Sequence, residues 1–390
     1  MVRIFPQTQG KCAGLKVPGY FLELRSVRLF LQTKNHLKLF SRTLKSPLMR
    51  FPRIKLDGIA HYHCISRIAG QEHALNDTEK EFFVRLLRKL AEYHGVGILT
   101  YCVMSNHFHL LVEMPDPLVS AALSREEILR RVSILYGRDA VEALKTELAR
   151  AAASQSAGWE EEILDRFRKQ MGDLSGFMKQ LKQRFSIWFN RRTGRKGTLW
   201  EDRFKSLLVE GDENALLTVA AYIDLNPLRA GLVTRIEDYR WCGYASAVAG
   251  DQPSREGLGR IFDSTLWVCG ENHCVDWEKT SASYRLLLFG EGEIRGFDEE
   301  GRPDRMGFTR EQVEEEVARG GKLPLTQILR LKVRYLTDGV VLGSTDFVED
   351  FYERHRSRFG SRRNSGAKTM RGADWGDLRI LHDLRNEVFG

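Results

Sequence analysis

The sequence predicts an α+β fold, an antiparallel sheet with helices on one face, followed by a mainly helical C-terminal region. Three observations predict it. Residues 58–68, 96–104 and 106–114 are rich in β-forming residues and read as strands. A helix-period segment separates the first strand from the second. Only a very short break separates the second from the third, which suits antiparallel neighbours.

GIAHYHCISRI (58–68) alternates and forms the first strand. In NDTEKEFFVRLLRKLAEYHG, Thr78 and Glu81 make a capping box, Phe82, Phe83, Leu86, Leu87 and Leu90 fall at helical spacing, and Gly95 ends the helix. VGILTYCVM and NHFHLLVEM supply the next two strands. SREEILRRVSILYG (124–137) is helical, and TELARAAASQSAGWEEE (146–162) reads as an exposed helix or a linker. DLSGFMKQLKQRFSIWFNRR (173–192) carries apolar residues at 174, 177, 178, 181, 185 and 188, a strong helical stripe. TGRKGTLW is a basic turn, EDRFKSLLVE returns to strand, and ALLTVAAYIDLNPLRAGLV (215–233) is a helix ended by Asn226–Pro227. Beyond about Gly250 the texture turns Gly- and charge-rich, with helical pieces at 309–319 and 323–336. There is no internal repeat.

The 390 residues suffice for two or three domains, and 42% hydrophobic with 29% charged residues describes a soluble globular chain. No apolar run reaches the roughly 18 residues of a membrane span. A net charge of +8 favours an acidic partner, most simply nucleic acid. The six cysteines form no CxxC pair; Cys269, His273 and Cys274 crowd together but lack a second ligand pair for zinc. A reducing cytosol is the expected setting. Residues 1–48 hold nine Lys/Arg and one acid, Glu23, and read as a basic extension upstream of a true start at Met49. A targeting or nucleic-acid arm is the other reading of that stretch.

SNHFHLLVE (105–113) carries the chemistry. Alternation puts His107, His109, Leu111 and Glu113 on one face and Phe108, Leu110 and Val112 on the other. The two imidazoles are then about 7 Å apart along the strand, a spacing from which both can reach one cation. His61 and His63 repeat the pattern on the first strand, and His63 sits beside the pair if the first and third strands are neighbours. On helix 173–192, Gln183, Ser186 and Asn190 form a polar edge. A carboxamide oxygen with two imidazoles suits Mg²⁺ or Mn²⁺. Around the same helix lie Lys179, Lys182, Arg184, Arg191, Arg192, Arg195, Lys196, Arg203 and Lys205, interleaved with Trp188 and Trp200. Cations among aromatics fit single-stranded nucleic acid, as they fit a solvated face over two core tryptophans.

YCVMSNHFHLLVE, FMKQLKQRFSIWFNRRTGRKGTLWEDRFKS, YIDLNPLRAGLV and DYRWCGYASAVAG resemble, in order and spacing, the REP-associated tyrosine transposases, which group with the single-tyrosine HUH transposases of insertion sequences. The resemblance covers roughly residues 49–250, and MRFPRIKLDGIAHYHCISR resembles the family's usual beginning. It implies a ferredoxin-like sheet with the His pair on a central strand, and Mg²⁺ or Mn²⁺ held by His107, His109 and a helix side chain, taken as Asn190. It implies cleavage of single-stranded DNA near hairpins by a tyrosine that forms a 5′-phosphotyrosine link and frees a 3′-OH, in a nucleoid-associated, cytoplasmic protein. A homodimer is compatible with it.

Helix 173–192 contains no tyrosine. Phe185 stands where the resemblance places the nucleophile, and a phenyl ring cannot form the covalent link. Three readings follow. Another tyrosine attacks, Tyr222 or Tyr244; a metal-activated water attacks; or the chain is a catalytically silent DNA-binding protein. Residues 251–390 carry no chemical signature and read as an accessory region. TREQVEEEVARGGKLPLTQILRLKVRYLTDGVVLGSTDFV suits a helix-turn-helix-like unit or plain helical packing, and the basic stretch from Arg354 to Arg371 suits phosphate contacts or a disordered tail.

Overall fold

The computed structural model describes residues 56–154, 158–262, 276–289, 325–330, 332–359 and 363–382. The basic extension 1–48 with Met49, the Cys269–Cys274 cluster, the helical piece 309–319 and the first part of the helix-turn-helix-like unit lie outside the described residues.

Strand β1 (Ala60–Arg67), helix α1 (Asp77–His94), β2 (Gly97–Val103), β3 (His107–Met114), α6 (Leu174–Thr193) and β4 (Lys205–Val209) make a β-α-β-β-α-β unit. Between β3 and α6 come α2 (Pro117–Ala121), α3 (Arg125–Tyr136), α4 (Arg138–Ala153) and α5 (Trp159–Arg168). After β4 run α7 (Glu213–Asp224), α8 (Asn226–Arg229), α9 (Gly243–Val248), α10 (Gln252–Phe262) and α11 (Trp277–Phe289). Strands β5 (Val341–Gly343), β6 (Lys368–Thr369) and β7 (Arg379–Ile380) complete a seven-stranded sheet of order β2-β3-β1-β4-β5-β7-β6. Strand β1 pairs antiparallel with both β3 and β4, as β2 does with β3, the ferredoxin-like arrangement. Strand β4 pairs parallel with β5.

Each central strand is apolar on one face, and the helices sort accordingly. Tyr62, Cys64, Phe108, Leu110 and Val112 pack with Phe83 and Leu87 of α1 and with Phe177, Leu181, Phe185 and Phe189 of α6. On the opposite face Leu111, Leu207 and Val209 pack with Leu216, Val219, Ala220 and Ile223 of α7. Helices therefore cover both faces rather than one. The reason lies in α7, which is buried from Thr218 through Asp224 and has no polar side to turn to water. Asp224, fully buried, receives Thr100 Oγ1 at 2.9 Å, Tyr284 Oη at 2.7 Å and Cys242 Sγ at 3.2 Å, which ties α7 to β2, α11 and the segment before α9.

Helix α1 is capped two residues before the expected Thr78. Asn76 Oδ1 accepts from Thr78 N and Glu79 N, a stronger N-cap than threonine offers. Gly95 closes it in the left-handed region at φ 69°. The stretch expected as one exposed helix or linker is two helices, α4 and α5, which share a small core with α3 through Ile128, Val132, Leu144, Leu148 and Ile163. The described C-terminal part keeps helices, but it also adds β5, β7 and β6 to the same sheet. The described residues of its basic stretch are folded: Glu349 accepts from Ser365 Oγ, Gly366 N and Ala367 N, and Arg363 stacks on Tyr352 and Phe359.

Phe185 is fully buried among Phe82, Phe83, Trp188, Phe189 and Trp200. Phe185→Ala is expected to cost about 3–5 kcal/mol, read from the midpoint of urea unfolding.

Candidate active site

The register of β1 against β3 sets Arg67 opposite His107, Ile65 opposite His109 and His63 opposite Leu111. All six side chains share the face covered by α7. His63 Nε2 lies 2.8 Å from His109 Nδ1, and the His107 and His109 rings meet nearly at right angles with centroids 5.1 Å apart. His61 turns instead to Glu113, 3.0 Å away.

Helix α7 brings Tyr222 against this cluster. Its ring, 1% exposed, stands edge-on to His63 and His109 with centroids 6.2 and 6.1 Å away. Asn226 follows one turn later, on the same side. Pro227 has no N–H to give the Ile223 carbonyl, and Asn226 Nδ2 donates there at 3.0 Å, and to the Tyr222 carbonyl at 3.2 Å. With both amide hydrogens held by carbonyls, Asn226 Oδ1 is left as the acceptor. Arg229 donates to the Tyr222 and Leu329 carbonyls and lays its guanidinium over the Tyr222 ring at 4.2 Å. These residues line one open cleft of about 410 Å³, together with Arg67, Asn106, Lys332 and Thr337.

Burial dominates the electrostatics. It lowers His63 to about 3 and His107 to about 4, and takes His109 well below its ordinary value with help from the neighbouring imidazoles. All three are neutral at pH 7, the form that ligates metal. Burial raises the Tyr222 phenol, and the charges of Arg229 and Arg67 oppose that rise. Asn106 gives its Nδ2 to Gln71 O and lies with Oδ1 2.6 Å from His107 Nδ1. That oxygen accepts the His107 Nδ1 proton and leaves Nε2 with its lone pair.

The structure does not bring every expected residue here. Asn190 and Phe185 lie on α6, against the other face of the sheet. Asn190 Nδ2 donates to Gly197 O, and its Oδ1 is buried without a partner there. The carboxamide that lines the cleft with His107 and His109 is that of Asn226, not Asn190. The physical reason is the apolar stripe of α6, which is spent on the Phe108–Val112 side of β3. Tyr244 is buried on α9 beside Tyr284 and lines no part of the cleft. Of the expected DNA-binding cations, Lys182 reaches Asp202 O, Arg184 stacks on Tyr136, Arg192 pairs with Glu79, Arg195 with Glu72 and Lys205 with Asp338. Arg191, Lys196 and Arg203 are exposed.

The cations at the cleft are others: Arg67, Arg229 and Lys332. Arg67 was legible from its alternation with His63 and Ile65, and Tyr222 with Asn226 from their four-residue spacing. Lys332 carried no signal. Among the described residues no group of three or more His, Cys, Asp or Glu could hold a metal ion. The donor set that fits a hard or borderline divalent cation is His107, His109 and the Asn226 carboxamide oxygen.

Residues 59–125 match the family model "Transposase IS200 like". This segment is similar to the IS200-like transposases. The matched span runs from β1 into α3 and includes both histidines of β3, while Tyr222 and Asn226 lie beyond it. A comparison with curated proteins gives no match. Among solved structures, the chain is similar at 13% identity to one described as "REP associates tyrosine transposase bound to a REP hairpin". That likeness covers 52% of this chain and 86% of that one, with a TM-score of 0.30. No described helix is long and apolar enough to cross a membrane.

The site fixes a pH dependence of stability. His63, His107, His109 and also His94, lowered to about 4, stay neutral in the fold, whereas in the unfolded chain they protonate near 6.5. Below 6.5 the unfolded chain takes up more protons, so stability falls as pH falls. Asp224, raised to about 6 by burial, acts oppositely and adds stability as pH drops through 6. Four histidines outweigh one carboxyl. The urea midpoint is expected to be lower at pH 5 than at pH 7.5; a midpoint that rises would contradict the buried, neutral cluster.

Proposed function

We propose that the chain cuts and rejoins single-stranded DNA, with Tyr222 as nucleophile. The observation that carries this reading is the meeting of Tyr222 and Asn226 with His107 and His109 in one cleft that three cations also line. A DNA phosphate entering the cleft meets Arg67, Arg229 and Lys332, whose charges offset that of the phosphate and of the pentacoordinate transition state.

The Tyr222 oxygen gives its proton to solvent water, which returns one to the leaving 3′ oxygen, and attacks phosphorus. The bond from phosphorus to the 3′ oxygen breaks, that oxygen takes up a proton, and the 5′ phosphate stays on the tyrosine. Attack by a 3′-OH on this ester reverses the step, so joining needs no external energy source. Arg229 favours the phenolate through its charge over the ring, and its bond to the Tyr222 carbonyl holds that helix end in place. A divalent cation, Mg²⁺ or Mn²⁺, bound by His107, His109 and Asn226 would polarise a phosphate oxygen.

The silent-binder reading rested on Phe185. With α6 on the far side of the sheet, the missing hydroxyl there does not bear on the cleft. The exposed Arg191, Lys196 and Arg203 suit a further stretch of DNA backbone, a salt-sensitive contact without sequence information.

The test is incubation with a single-stranded hairpin DNA and Mn²⁺, then mass spectrometry of the protein. A DNA adduct is expected on Tyr222. Tyr222→Phe is expected to give none while keeping hairpin affinity within a few-fold, and His107→Ala or His109→Ala to lower cleavage at least about 100-fold. Cleavage by Tyr222→Phe at the wild-type rate would point to water as nucleophile, and binding without cleavage by the wild type to a silent binder.

A further inference from the structure

Behind the cleft, and resting on the reading just given, lies a chain of hydrogen bonds that begins in the C-terminal part of the protein. Leu336, in the short helix Arg334–Asp338, places its carbonyl oxygen 2.9 Å from His63 Nδ1. His63 Nε2 in turn lies 2.8 Å from His109 Nδ1. A carbonyl can only accept, so the proton of this first bond is on His63 Nδ1. His63 is fully buried behind the cleft, and its ring partners among the described residues are the Leu336 carbonyl and His109, with no carboxylate. A second proton on its ring has no compensation there. Its Nε2 is therefore an acceptor, and the proton of the second bond is on His109 Nδ1. Only His109 Nε2 then keeps a lone pair. The opposite tautomer would put a hydrogen on Nε2 and leave two buried nitrogens facing each other without one.

We propose that His63 is a positioning residue that holds His109 in the tautomer able to bind a cation through Nε2, and that the Leu336 carbonyl sets this direction. Residues of the C-terminal part are then a working piece of the active site. Two further contacts agree: Leu329 O takes a bond from Arg229, and Lys332 lines the cleft.

The test uses the full chain and Mn²⁺ alone. In metal-free protein, ¹⁵N spectra of the histidine rings are expected to show His109 as the Nδ1–H tautomer. His63→Phe keeps the ring volume and removes both bonds. It is expected to weaken Mn²⁺ binding, followed by electron paramagnetic resonance, about 10- to 100-fold. His63→Gln can donate to Leu336 O and accept from His109 through one amide, and is expected to recover most of that loss. If His63→Phe unfolds, the wild-type tautomer and the Gln variant decide. An Nε2–H tautomer in the wild type, or His63→Phe folded with wild-type Mn²⁺ affinity, overturns the proposal. A wild type that binds no Mn²⁺ yet shows the Nδ1–H tautomer, lost on His63→Phe, supports the tautomer lock and overturns the metal reading instead.

Discussion

The two-residue alternation of β3 governs this molecule. Phe108, Leu110 and Val112 commit one face to the core under α1 and α6, and that commitment turns His107 and His109 toward α7. A slip of one residue would drive both imidazoles into the aromatic cluster around Phe185 and expose the core residues to the cleft. The apolar residues between the histidines thus aim the site as firmly as any polar contact. The strand is paired on both sides, with β1 and β2, so its register is set by two ladders at once.

The break after α7 is the second determinant. A proline in the next turn denies a backbone donor to α7, and side chains take over the freed carbonyls. Asn226 and Arg229 both donate to Tyr222 O, so one backbone oxygen locates the phenol's helix end, the carboxamide and the guanidinium relative to each other. The same helix is fastened from behind by the buried Asp224 to β2 and α11. Tyr222 is thus held on a rigid element rather than on a loop, the placement that the proposed attack requires.

Much of this was legible in the sequence. The first three strands, both central helices and the His pair follow from period and spacing, while the ferredoxin-like order follows only from the resemblance; given that order, His63 falls beside the pair. The choice of helix was not. Helix α6 has polar residues at helical spacing and many cations, which made Asn190 attractive, but periodicity does not tell which face of a sheet a helix covers. The decisive hint was the mostly apolar run of α7 after its first turn: a helix buried on all sides must be sandwiched, and its one tyrosine then faces a strand. The C-terminal strands were beyond reach because β5, β6 and β7 are only two or three residues long, too short for any alternation. Their pairing depends on contacts from far along the chain.

That distance has a consequence for synthesis. His63 and Leu336 are 273 residues apart, and the β4 edge is closed by β5, a partner made equally late. During translation the early strands emerge with their histidines, and Tyr222 follows, while the carbonyl that orients the relay is still inside the ribosome. A partly made chain therefore lacks the finished pocket. The cleft is complete only once the segment carrying Leu336 and Lys332 has joined it.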